Sequence, residues 1–156
     1  MVKQSDCAQY QIDVPQDIKK CVATETIGLT ELQTVDYCVD LTAELLDFSF
    51  VQDKLFSKPV CKAHCVTYAQ LCSTLCNIAF KSHGSNWSAK RVRGYVAAYG
   101  LNICQVLCYI FPKHINRVKD HDFVEIIGPN NTIYVDASMK ELIFTDLKTV
   151  KKANKH

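Results

Sequence analysis

The sequence predicts an all-α protein, a bundle wrapped on one buried helix at about 88–111. Three observations predict it. First, between Arg93 and Lys113 there is no charged residue, and Tyr95, Val96, Ala97, Ala98, Tyr99, Leu101, Ile103, Val106, Leu107, Tyr109, Ile110 and Phe111 fall on every side of a helical projection. A helix apolar all round is buried or spans a membrane. Asn102, Gln105, Gly94 and Gly100 in so short a run favour the buried helix over a span. Second, apolar residues recur at helical spacing over about 31–52 and 59–81. Third, cap signals bracket these segments: Thr30-x-x-Gln33 as a capping box, Pro59 for a first turn and Gly84 for a left-handed stop.

Taken in order, the chain opens with a mixed segment, residues 1–29, broken by Pro15 and Gly28, with a short helix around Asp17–Ala23. The capping box then starts an amphipathic helix from Glu31 to about Gln52, with Leu32, Val35, Val39, Leu45, Leu46 and Phe50 as its stripe. From Pro59 to Lys81 a second long helix turns Val60, Cys61, Cys65, Tyr68, Leu71, Cys72 and Leu75 inward, and Gly84 closes it before the central helix begins. Beyond Pro112 two readings compete. Ile115, Val118, Phe123, Val124 and Ile127 fit a helix ending at Gly128-Pro129, whereas FVEII and TIYVD about Gly-Pro-Asn-Asn fit a β-hairpin. The helix is preferred, because a lone two-stranded hairpin is weakly stable. Asp136 then caps a last helix carrying Met139, Leu142, Ile143 and Leu147, and 149–156 is read as a disordered tail.

The 156 residues fit a single domain spanning 1–156, and 48% hydrophobic content can fill a core. A net charge of +2 points to no nucleic-acid partner. The first 20 residues lack a signal-peptide core and the end KTVKKANKH is too polar for an anchor, so the expectation is a cytoplasmic chain without a membrane anchor, monomeric or homodimeric.

Nine cysteines include three i,i+4 pairs, Cys61/Cys65, Cys72/Cys76 and Cys104/Cys108. The plain reading is reduced thiols acting as small hydrophobes on buried helical faces, with no metal and no cofactor. The sharper one, a cysteine-rich helical protein with a structural metal or disulfide role, is kept as the alternative. Nine cysteines and five histidines without a nucleophile motif argue against cysteine–histidine catalysis, and the expected role is non-enzymatic interaction.

The segment Tyr68–Asn102, YAQLCSTLCNIAFKSHGSNWSAKRVRGYVAAYGLN, resembles the Bcl-2 family around its first homology motif. Asn86-Trp87 matches the family's Asn-Trp, Arg91 or Arg93 its arginine, and Gly94 its small residue; YVAAYGLNICQVLC resembles the central helix of viral homologues. Two extra residues separate the Asn-Trp from the arginine, and the second homology motif is absent, as in a divergent member from a large DNA virus. The resemblance implies an anti-apoptotic protein that binds the BH3 helix of host pro-apoptotic partners in a surface groove, in the cytoplasm or recruited to mitochondria. The residues it implies for that groove are Asn86, Trp87, Arg91, Arg93, Gly94, Tyr68, Leu71, Leu75 and Val96.

Overall fold

A computed structural model describes residues 2–10, 12–95, 97–98, 101–102, 121–139 and 149–152. It is mixed α/β and overturns the all-α bundle. Strand β1 (Val2–Asp6) leads to helices α1 (Gln16–Glu25) and α2 (Glu31–Leu45), then to strands β2 (Leu46–Phe48) and β3 (Cys61–Ala63) and helix α3 (Cys65–Ser82). Strands β4 (Ser88–Tyr95), β5 (Ala97–Ala98), β6 (Leu101–Asn102), β7 (His121–Ile127), β8 (Asn131–Val135) and β9 (Thr149–Lys152) follow. Five of the strands form one antiparallel sheet in the order β1-β4-β7-β8-β9.

The front of the expected central helix is strand β4. A strand covered on both faces shows no polar side, so its period of two is hidden and its run reads like a buried helix. In β4, Ala89 faces the cluster built on α3, while Val92 and its register partner Phe123 are fully buried on the opposite face. Ala97–Ala98 pairs antiparallel with Leu101–Asn102 instead of continuing a helix. Positions 103–111, together with Val96 and Gly100, lie outside the described residues.

Residues 121–135 form the hairpin, not the helix. The instability of an isolated hairpin does not apply, because β7 pairs along its whole length with β4 and β9 adds to β8. Of the stretch 149–156 expected to be a disordered tail, Thr149–Lys152 forms strand β9, and 153–156 lie outside the described residues. Gly128 begins the turn, and its N–H bonds to the Asn131 carbonyl at 2.9 Å. A Cβ at Gly128 would stand 2.6 Å from Asn131 Oδ1 and 2.7 Å from Trp87 Cε2. Gly128→Ala should therefore cost about 1–3 kcal/mol by overpacking. Thermal unfolding checks this, and an unchanged melting temperature would show that Trp87 yields freely.

Thr30 and Gln33 make the expected capping box at α2. Gly84, at φ +65°, lies in the left-handed turn after α3, and Ser85 N–H reaches back to the Phe80 carbonyl at 2.9 Å. The helix expected to reach Gln52 stops at Leu45, because Leu46–Phe48 pairs in parallel with Cys61–Ala63. That pairing also delays the next helix from Pro59 to Cys65, so Cys61 and Cys65 do not share a helical turn.

Helix α3 is the centre of the core. Tyr68, Leu71, Cys72, Leu75, Cys76 and Ala79 have no exposed surface, and Val22, Val35, Cys38, Val124, Ile126 and Ile133 pack in the same cluster. None of the described helices is long and apolar enough to cross a membrane.

Candidate active site

Three chemistry-bearing residues, distant in sequence, meet where α3 begins. Cys65 is the first residue of α3, His121 the first of β7, and Asp136 follows the last residue of β8. The sheet register brings the last two together: β7 and β8 are antiparallel neighbours, so the start of one lies beside the end of the other. His121 Nε2 is in direct contact with Asp136 Oδ2, and Cys65 stands near enough to the same ring to help raise its pKa. Asp136 is itself held: its Oδ1 accepts from Ser138 N–H at 3.0 Å, Ser138 Oγ–H at 2.7 Å and Met139 N–H at 3.3 Å. These bonds are the cap expected at Asp136; the rest of the helix it was to open lies outside the described residues.

The electrostatics follow from burial against charge. The His121 and Asp136 side chains are 12% and 2% exposed. Burial alone would push the His121 ring towards neutrality, but the Asp136 charge and hydrogen bond, aided by Cys65, hold its pKa well above the usual histidine range. Burial likewise opposes charge on Asp136, yet His121 and the Ser138 and Met139 bonds hold its pKa below the usual range. The raised His121 pKa contributes stability fully present below the unfolded value of about 6.5 and lost as pH rises through the folded one. The lowered Asp136 pKa contributes stability present above its unfolded value and lost as pH falls through the folded one.

The helix start supplies the rest. His64 at the N-cap offers no side-chain cap, and the Thr67 and Tyr68 N–H groups bond back to its carbonyl at 2.9 and 3.1 Å. The Cys65 and Val66 N–H groups precede these, at the positive end of an 18-residue helix, where negative charge is favoured. Two of the other free cysteines are weakened as nucleophiles. Burial and Asp122, 3.3 Å away, push the Cys7 thiol up. Hydrogen bonds from Cys38 and Cys72, with burial, push the Cys76 thiol far up. The seven described cysteines are all free, and among the described residues no group of three or more His, Cys, Asp and Glu could hold a metal; Cys104 and Cys108 lie outside them.

No family model, curated protein or solved structure matches this chain.

The residues expected to line a BH3 groove do not share one surface. Tyr68, Leu71 and Leu75 are fully buried on α3, and Gly94 is buried within β4. Trp87 packs on Phe80 with ring centroids 6.2 Å apart, beside exposed Asn86. Val96 lies outside the described residues. Arg91 is buried: its Nη2 donates to the Ala8 carbonyl at 2.7 Å, and its guanidinium lies 5.3 Å from the Tyr10 ring centre. Arg93 approaches Asp122 Oδ1 at 3.5 Å. The two arginines, two apart in sequence, stand on one face of strand β4, because alternation is by two. Cys65, His121 and Asp136 were missed because sequence reading paired Cys65 with Cys61 and placed no strand ends at 121 and 136. The legible signal was a histidine before FVEII and an aspartate after TIYV, at the two ends of a candidate hairpin.

Proposed function

We propose that the chain is a cysteine hydrolase that cleaves an acyl substrate through a thioacyl intermediate. The supporting observation is the convergence of Cys65, His121 and Asp136 at the α3 N-terminus, with each residue suited to one role. His121 takes the Cys65 proton and Asp136 orients and stabilises the resulting imidazolium. The Cys65 sulfur attacks the carbonyl carbon, an S–C bond forms, and the carbonyl π pair moves to oxygen. The Cys65 and Val66 N–H groups are placed to receive that oxyanion. Collapse breaks the bond to the leaving nitrogen, oxygen or sulfur, which takes the proton from His121. Water then attacks the thioester, gives its proton to His121, and leaves the acid and the free thiol.

Reactivity at Cys65 tests the assignment without knowledge of the substrate. With substoichiometric iodoacetamide at neutral pH, peptide mass spectrometry should find Cys65 alkylated well ahead of Cys7 and Cys21. His121→Ala should slow that alkylation. Equal labelling of the three thiols, or no effect of His121→Ala, would sink the proposal. BH3-helix binding and apoptosis inhibition, implied by the resemblance, form the rival proposal, which lacks the bundle that would build its groove. Saturable binding of labelled BH3 peptides, unaffected by alkylation of Cys65, would favour the rival.

A further inference from the structure

A second site lies about 140° round α3 from Cys65, as five residues of helix require. It is a groove of about 500 Å³ between the outer side of α3 and the segment before α1. Gln70, Ser73, Thr74 and Lys81 line the helix side over about 16 Å, and Tyr10 lines the other. Gln70 is 4% exposed, yet its side-chain oxygen has no hydrogen-bond partner among the described residues. An acceptor left so costs stability unless a ligand donates to it. The Ser73 and Thr74 hydroxyls both give their protons to the Gln70 backbone carbonyl, at 3.0 and 2.7 Å, which leaves their oxygens as acceptors too. This wall therefore asks for donors. Among the described lining residues no carboxylate stands to neutralise an amine, and Lys81 repels one, so neutral hydroxyls are the donors that fit. Tyr10 is 47% exposed, and Arg91 lies against its ring, which can stack against the apolar face of a sugar.

An extended peptide is disfavoured by the strand edge. Strand β1 ends its pairing with β4 at Asp6 opposite Val92. Beyond it, Gln9 bonds both Arg91 N–H and C=O, at 2.9 and 2.7 Å, and Asn77 bonds both Ala89 N–H and C=O, at 2.8 and 2.7 Å. The backbone groups that a peptide strand would need are taken. We infer that the groove binds a saccharide, its hydroxyls on Gln70, Ser73 and Thr74 and its ring on Tyr10.

Amide chemical-shift titrations of the whole chain with glucose, maltose, N-acetylglucosamine and glucuronate test this, with tetra-alanine as the peptide probe. At least one saccharide should give saturable millimolar shifts confined to residues 70–81 and the neighbourhood of Tyr10. Gln70→Leu should weaken it about tenfold, one hydrogen bond's worth, while melting no lower than the parent, since an unmatched buried acceptor has gone. Tyr10→Ala should weaken it as well, and Cys65→Ala should leave it unchanged. Failure of every saccharide, shifts with tetra-alanine alone, or parent-like binding by Gln70→Leu would overturn the inference. None of these outcomes bears on the reactivity of Cys65.

Discussion

Cys65→Ala is expected to abolish turnover of any acyl substrate the chain hydrolyses, by about 10³-fold or more, while the fold survives. The loss is large because Cys65 is the thiol that stands beside the His121–Asp136 pair. Cys7 is held protonated by burial and Asp122, and Cys76 by Cys38, Cys72 and burial. The fold should survive because Cys65 is only partly buried and stands at a helix start, where removing one sulfur opens no enclosed cavity. Cys65→Ser keeps the shape but replaces the thiol by a far weaker acid, so it should fall with the alanine variant. Hydrolysis of small activated esters, screened first with the parent, is the measurement. A Cys65→Ala protein as active as the parent would remove the nucleophile assignment.

Asp136→Asn is expected to lower turnover by about 10²–10⁴-fold and to move the alkaline limb of the pH profile to lower pH. The first effect comes from losing the carboxylate that orients the ring and stabilises the imidazolium. The second follows in sign from the pKa. Asp136 raises that of His121. Without its charge, burial dominates and the ring loses its proton at lower pH, so the protonated His121 that the leaving group needs is lost earlier on the alkaline side. Asparagine can still accept the Ser138 and Met139 bonds through its oxygen, which separates the charge effect from loss of the cap. The same variant should lose more stability near pH 5, where the imidazolium is left buried without its partner, than near pH 8. A profile whose alkaline limb stays in place would show that His121 titrates independently of Asp136.

Local features were legible in the residues alone. Thr30 with Gln33 starts α2, Gly84 stops α3, and the short helix near Asp17–Ala23 exists as α1, because caps and left-handed turns depend on neighbours within a few residues. The inward face of α3, with Tyr68, Leu71, Cys72 and Leu75, was likewise legible from helical spacing. Only the tertiary structure decided that 88–95 is a strand. Val92 and Ala89 are buried from opposite faces, and a strand covered on both sides carries no period of two for a reader to find. It also decided between helix and hairpin at 121–135, since the hairpin is stable through β4, whose own assignment was in doubt. The candidate site was illegible for the same reason. Cys65, His121 and Asp136 belong to no local pattern, and they meet only because antiparallel pairing sets the start of β7 beside the end of β8, where α3 begins.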